Sequence, residues 1–536
     1  MEDKFMTYLK SGFPLIAVNT VEVTRAVKDL TDMVNKWNKG GLKDTNAPDH
    51  LKNDGYSIIK WDANIGWGEQ AGKTSDPGAA SIALKYPLAK NSPSGIYILQ
   101  NFHLKWSDPL DYPAIAQDVL DIAGRRIPHR HVVIVGPLPN IPTEISHMFA
   151  WIDYELPSRD DIKKIMGKFK DILATKPTKQ MENQIADAAS GMTMYEAEQA
   201  IKASIVKEKG KKVNVESLFT MKAKTVRKSG LFDYMEVDET IKSVGGLVNL
   251  KSDVAKTAKV FKNREKADKY GLPVPRGILL TGLSGCGKSL VAKVIAHEFI
   301  LPLYLWDMGK LFGGIVGDTE RNTREAFKLI NSLSPAVFFI DEMEKNIGGA
   351  KSSSMVDAGI TEKVVGAFLT FMQEKTCPAF FVATANSVDN LAPEVLRRFN
   401  SIWFVDLPTA EERKEIFIIH LNKKGRDPKK FAVDDLVKLT DRFTGAEIQA
   451  VIEDAMFTAF FEDREFTTKD VKAAIANTPV MVDTKDKDIT RLRMWAKGRA
   501  RIANVKPEEK PEWWSTVEKD QESLILDEKK EGKNAK

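Results

Sequence analysis

From residue 282 to 289 the chain reads Gly-Leu-Ser-Gly-Cys-Gly-Lys-Ser, directly after the apolar run Gly277-Ile278-Leu279-Leu280-Thr281 and directly before an apolar helical pattern. A glycine-rich loop held between a strand and a helix leaves few folds open. Gly282, Gly285 and Gly287 let successive backbone N–H groups turn toward one anionic group, and the following helix adds its N-terminal dipole. Lys288 would then reach the β- and γ-phosphates of a nucleotide, Ser289 would ligate Mg²⁺, and Leu290 would complete the contact surface. Cys286 inside this loop admits a redox brake, but small-residue filler is the better reading. A second Gly-Lys-Thr at Gly72-Lys73-Thr74 lacks the upstream glycine, since position 67 is tryptophan. It reads as loop.

About fifty residues downstream, Val337-Phe338-Phe339-Ile340 ends on Asp341-Glu342. A buried strand that delivers two carboxylates at its C-terminal end places them where α/β sheets bind ligands. Asp341 suits the Mg²⁺ shell and Glu342 the polarisation of an attacking water. Around them, apolar runs at 278–281, 303–306, 336–340, 379–384 and 402–405 alternate with helical patterns, as in a parallel sheet with crossover helices.

The 536 residues correspond to three or four domain-sized units. A hydrophobic fraction of 43% with 29% charged excludes wholesale disorder, and a net +5 (79 basic, 74 acidic) is too small to imply a polyanion partner. Two cysteines, Cys286 and Cys377, exclude a disulfide scaffold. The acidic start Met1-Glu2-Asp3 and the lack of any 18-residue apolar run point to a cytoplasmic protein without a membrane span.

The first half shows strand-like runs at 13–18, 56–62, 96–99 and 132–135, then a Lys-rich helical stretch over 160–228. It also resembles the second half. Pro142 to Met166 aligns without a gap on Pro393 to Phe417 at an offset of 251, and Ile96 to Leu99 resembles Val337 to Ile340. The expected division is an α/β domain at 1–155, a helical lid and linker at 156–237, an active α/β domain at 238–408, a second lid at 409–480 and an extension at 481–536.

With these pieces in place, residues 238–480 resemble the AAA+ ATPases. Ser243-Val244-Gly245-Gly246-Leu247 resembles the segment that covers adenine, and Ala383-Thr384-Ala385-Asn386 resembles sensor one, with Asn386 as its polar residue. Gly445-Ala446-Glu447 resembles the Gly-Ala-acid turn in the lid of the protein-remodelling branch, and His420 sits where that branch contacts the nucleotide. Leu311 to Gly317, Phe371 to Thr376 and Leu492 to Ala496 bring the pattern nearest to the chloroplast-frame (Ycf-type) ATPases, over about residues 8–505. The resemblance implies tandem P-loop-NTPase-like AAA+ domains, the first degenerate and the second active, each with a helical lid. It implies ATP and Mg²⁺ as cofactors, a homo-oligomer (hexameric ring or spiral) and an unidentified protein partner.

Two departures stand out. Leu396-Arg397-Arg398-Phe399 is about two residues shorter than the family's arginine-finger stretch; Arg398 matches the second finger and Arg397 stands in for the other. Ile315-Val316-Gly317 puts an aliphatic where threading members carry an aromatic, with Phe312 nearby. In the first half, Gln100-Asn101 replaces the Asp-Glu pair, no glycine loop follows Leu15 to Val18, and Ser146-His147 falls on the arginines. That copy is expected not to hydrolyse ATP. The basic runs Arg125 to His131 and Lys207 to Lys212 come with no recognisable nucleic-acid module, so a nucleic-acid motor ranks behind a protein remodeller and a nucleotide-gated assembly protein.

Overall fold

The computed structural model describes residues 2–39, 55–62, 66–67, 80–105, 112–125, 129–137, 141–227, 230–311, 318–347, 355–388, 391–480, 486–515 and 517. They form two compact units: residues 1–161 with 192–198, and residues 162–191 with 199–536.

In the first unit, strands β1 (Leu15–Asn19), β2 (Ser57–Trp61), β3 (Gly95–Gln100), β4 (Arg130–Gly136) and β5 (Ala150–Asp153) make one sheet in the order β2-β3-β4-β1-β5. Every pairing is parallel. Both faces are covered, which is why these strands read as unbroken apolar runs. Leu15, Ala17, Tyr97, Leu99, Val132 and Ile134 face one layer, with Ile115 and Val119 of helix Tyr112–Arg125. Ile16, Val18, Ile96, Ile98, Val133 and Val135 face the other, with Ala26, Leu30 and Val34 of helix Val23–Lys39.

The second unit holds β6 (Phe232–Met235), β7 (Gly277–Gly282), β8 (Leu303–Trp306), β9 (Ala336–Ile340), β10 (Ala379–Ala385), β11 (Ser401–Val405) and β12 (Arg501–Ile502). Their order is β12-β11-β7-β10-β9-β8-β6, with β6 antiparallel to β8 at one edge. The five parallel strands β7 to β11 run fifth, first, fourth, third, second across the sheet, and β1 to β5 of the first unit run in the same order. Helices Ala410–Lys423, Val433–Leu439, Gly445–Phe461 and Thr468–Asn477 enclose a core of their own around Phe417, Leu421, Leu436, Ile448, Val451 and Val471.

Nine strands coincide with the apolar runs of the sequence; β5, β6 and β12 do not. Helix Asp486–Ala496 buries Leu492 and Ala496 against Val388 and Phe404, and Trp513 meets Phe404 edge-on at 6.1 Å. The described part of the 481–536 extension is thus a packed segment. Among the described residues no helix is long and apolar enough to cross a membrane.

Candidate nucleotide site

The loop between β7 and helix Lys288–Phe299 needs its glycines for space as well as torsion. Gly282 (φ +144°) lies so close to the Val405 carbonyl that a Cβ would collide with it. Lys288 is 6% exposed, and its Nζ donates to the carbonyls of Gly282 (2.8 Å) and Leu283 (2.7 Å). Burial lowers its pKa, opposed by Cys286, Glu344, Asp341 and Glu342. Burial also pushes the Cys286 thiol up to about 12, so it is protonated at neutral pH, as suits filler. Ser289 is exposed on the cavity wall.

Adjacent β9 and β10 bring the acidic and polar residues together. Thr384 Oγ1 donates to Asp341 Oδ1 at 2.5 Å and accepts the Glu342 N–H at 2.9 Å. Glu342 sits in the left-handed region (φ +46°), which turns its side chain so that Oε1 accepts from Asn386 Nδ2 at 2.9 Å. Asn386 in turn accepts from Ser284 Oγ on Oδ1 (3.2 Å) and donates its backbone N–H to buried Glu344 (2.9 Å). A continuous hydrogen-bonded path therefore joins the glycine loop, Asn386 and Glu342.

The opposite wall comes mainly from helices Ala410–Lys423 and Gly445–Phe461. Glu412 Oε1 accepts the Leu247 N–H and Glu415 Oε2 the Gly246 N–H, each at 2.7 Å. Gly246 (φ +66°) packs onto the Glu412 carboxylate with no room for a Cβ. Asn504 Nδ2 donates to Glu412 Oε2 at 2.7 Å. Burial raises the Glu412 pKa against these hydrogen bonds. His420 is half-buried, and burial lowers its pKa, so it is neutral at pH 7. Helix Gly445–Phe461 is capped by the buried Thr444/Glu447 pair, and the Ala446 N–H donates to Gly285 O at 3.1 Å. The open cavity between these walls, of about 600 Å³, is lined by Gly245, the glycine loop from Ser284 to Leu290, Asp341, Glu342, Asn386, His420, Gly445 and Ala446. That volume suits a nucleotide-sized ligand.

Residues 278–407 match the model of the ATPase family associated with various cellular activities (AAA). Residues 1–154 match the N-terminal domain of SpoVK-like AAA ATPases. The AAA domain-containing protein ycf46 of Pyropia yezoensis is 32% identical, covering 93% of this chain and 98% of its own. That of Trieres chinensis is 31% identical, covering 94% and 98%. The chain belongs to the Ycf46 group of AAA ATPases. More distantly, the proteasome-activating nucleotidase of Methanococcus vannielii is 30% identical over 46% of this chain and 62% of its own.

In this AAA ATPase the loop amides and Lys288 fit nucleotide phosphates, and the hydroxyl of Ser289 and the carboxylate of Asp341 are hard oxygen donors of the kind Mg²⁺ prefers. Among the described residues no group of three or more His, Cys, Asp or Glu could hold a metal ion. Arg397 and Arg398 do not line the cavity of their own chain. Arg397 is exposed, and Arg398 Nε is buried without a hydrogen-bond partner among the described residues. Phe312, Ile315, Val316 and Gly317 lie outside the described residues, as do Gly72-Lys73-Thr74, residues 126–128 and residues 518–536.

Thr384 lies inside the sensor-one-like segment, but no motif singles out Glu344, Asp406, Glu412 or Asn504 as parts of this site. Only Glu412 carried a local signal, the Thr409-x-x-Glu412 capping box that opens its helix.

Proposed function

We propose that this AAA ATPase binds ATP with Mg²⁺ in the cavity and hydrolyses it, in an oligomer, to remodel a protein partner. The path from Ser284 through Asn386 to Glu342 supports this reading, because it holds a carboxylate in a defined orientation beside the glycine loop. Lys288 and the amides from Gly282 to Ser289 bind the phosphates, while Gly245, Gly246, Leu290, His420, Gly445 and Ala446 contact the nucleoside and lid side. Ser289 and Asp341 would hold Mg²⁺, which when bound neutralises phosphate charge. Glu342 takes the proton of the water, and Asn386 keeps Glu342 and that water in line. Thr384 holds Asp341 by its hydroxyl.

Arg397 and Arg398 would complete the site of a neighbouring subunit in a hexameric ring or an open spiral. Their position away from their own cavity supports this. We place the protein in the cytoplasm.

The first unit is, in this reading, a degenerate copy with its own lid. Its strand order supports that, and so does the 251-residue offset, which carries Ser158 and Asp161 onto Thr409 and Glu412. The same offset carries Thr193 and Glu196 onto Thr444 and Glu447, and both pairs make the same reciprocal hydrogen bonds. Where the second unit keeps a cavity, the first has Arg25, which meets Glu22 at 2.7 Å and Asp161 at 3.3 Å and lies 5.0 Å from the Tyr154 ring centre. Glu22 also accepts the Met194 N–H. At the end of β3, Gln100 and Asn101 offer no carboxylate. For the domains along the chain we propose the ranges 1–155, 156–237, 238–408, 409–480 and 481–536, which do not coincide with the two compact units.

A nucleotide-gated assembly protein is the alternative, favoured by the aliphatic Ile315-Val316 pair. The test is ATPase rate per subunit against protein concentration, for wild type and Glu342→Gln. A specific rate that rises with concentration and vanishes in the variant supports hydrolysis completed between subunits. A rate independent of concentration removes the arginine fingers from the reading.

A further inference from the structure

A second cavity, of about 180 Å³, adjoins the nucleotide site. Ser284 and Asn386 line both cavities, and the 3.2 Å hydrogen bond between them lies in the shared wall. The far wall is helix Asp486–Ala496, whose residues 488, 491, 492 and 495 share one face at helical spacing. This helix is held firmly. Leu492 packs with Val388 and Phe404, and Arg493 pairs with Asp406. Arg491, exposed on this packed helix, lines the smaller cavity together with Ser284 and Asn386.

We infer that this cavity is a holding site for the orthophosphate released by ATP hydrolysis, with Arg491 as its cation. The inference rests on the ATPase reading above. In hydrolysis the water oxygen bonds to the γ-phosphorus, the bond to the β–γ bridging oxygen breaks, and ADP keeps that oxygen. One water proton passes to Glu342 and then to solvent. The orthophosphate so formed lies beside Asn386, next to the Ser284–Asn386 wall. The chamber behind that wall admits one tetrahedral oxyanion and is too small for a nucleoside. Arg491 offers the planar fork that grips phosphate oxygens in pairs. Asp488, on the same face, opposes an anion and keeps the hold weak, as a product site requires. The rotation of Asn386 that opens the wall also releases Glu342, so phosphate departure and resetting of the carboxylate are one event.

The test uses the full chain, with inorganic phosphate as the probe. Steady-state ATPase is measured with added phosphate for wild type, Arg491→Ala and Arg491→Lys, and phosphate is titrated calorimetrically onto protein saturated with ADP and Mg²⁺. Removing one charge-assisted hydrogen-bond donor should raise the phosphate inhibition constant about tenfold in Arg491→Ala. Arg491→Lys should recover part of the effect, while ADP affinity and Tm stay at wild-type values. Leu492→Ala, which disturbs the helix packing, serves as the structural control. The proposal is overturned if Arg491→Ala leaves phosphate inhibition unchanged, or if it weakens ADP and lowers Tm as Leu492→Ala does. Should wild type hydrolyse no ATP, the ATPase reading fails, and the titration alone decides the pocket. Binding abolished in Arg491→Ala supports it; no binding to wild type overturns it.

Discussion

Arg493 grips Asp406 through both carboxylate oxygens, with Nε at 3.1 and 3.2 Å and Nη2 at 3.0 Å, and its guanidinium lies 5.5 Å from the Trp513 ring centre. Asp406 is buried at the end of β11, lines the nucleotide cavity, and donates its backbone N–H to Asn504. The pair therefore ties the C-terminal segment to the floor of the site.

Removing one partner strands a buried charge. Arg493→Met should cost about 3 kcal/mol, the low end for breaking a buried pair because Arg493 is partly exposed. Thermal melts of Arg493→Met, Asp406→Asn and the double variant should show the double losing less than the sum of the singles. Strict additivity would sink the coupling.

If the first unit is the degenerate copy proposed above, Arg25 fills the region where a nucleotide would lie. Equilibrium titration should find one nucleotide per chain. Arg25→Ala should lower Tm by a few degrees while leaving the ATP KM at the wild-type value, since the ion pairs of Arg25 with Glu22 and Asp161 are structural. A stoichiometry of two would show that the first unit also binds.

A thiol raised to about 12 is only ~10⁻⁴ ionised at pH 8. Alkylation of native protein at that pH, read by mass spectrometry, should spare Cys286 over hours, and Cys286→Ser should keep ATPase within about twofold. Rapid labelling of Cys286 with loss of activity would restore the redox brake.

Lys222 is 1% exposed and donates to Leu333 O at 2.8 Å. Burial pulls its pKa down to about 7, with Asp187 opposing. Between pH ~7 and ~10 the unfolded chain holds a proton that the folded chain lacks, so this group makes stability rise with pH, by at most ~1.4 kcal/mol per unit. Below pH 7 both forms are charged and the cost of burial is constant. The Tm advantage of Lys222→Met over wild type should be greatest at or below pH 7 and shrink toward pH 10. A constant difference would mean that Lys222 is not buried as a charge.

Local pattern made the phosphate loop legible, because eight consecutive residues carry its whole chemistry. It also made the doubly buried strands legible, since Val132 to Val135 or Val337 to Ile340 stay apolar on both faces. The short strands β5, β6 and β12 left no such trace. Burial of β5 alternates, and β12 is two residues long, so their partners decide them.

By itself, the sequence determined that a parallel α/β sheet presents a phosphate loop with Asp341 and Glu342 beside it, and that the first half lacks both. Contacts between distant residues were decided only by the tertiary structure. Glu412 reaches Leu247 across 165 positions, Asn504 reaches Glu412 across 92, and Arg493 reaches Asp406 across 87. Such polar pairs have no periodicity to betray them. Each residue alone reads as an ordinary surface charge or amide, and becomes part of the site only when folding buries it against its partner.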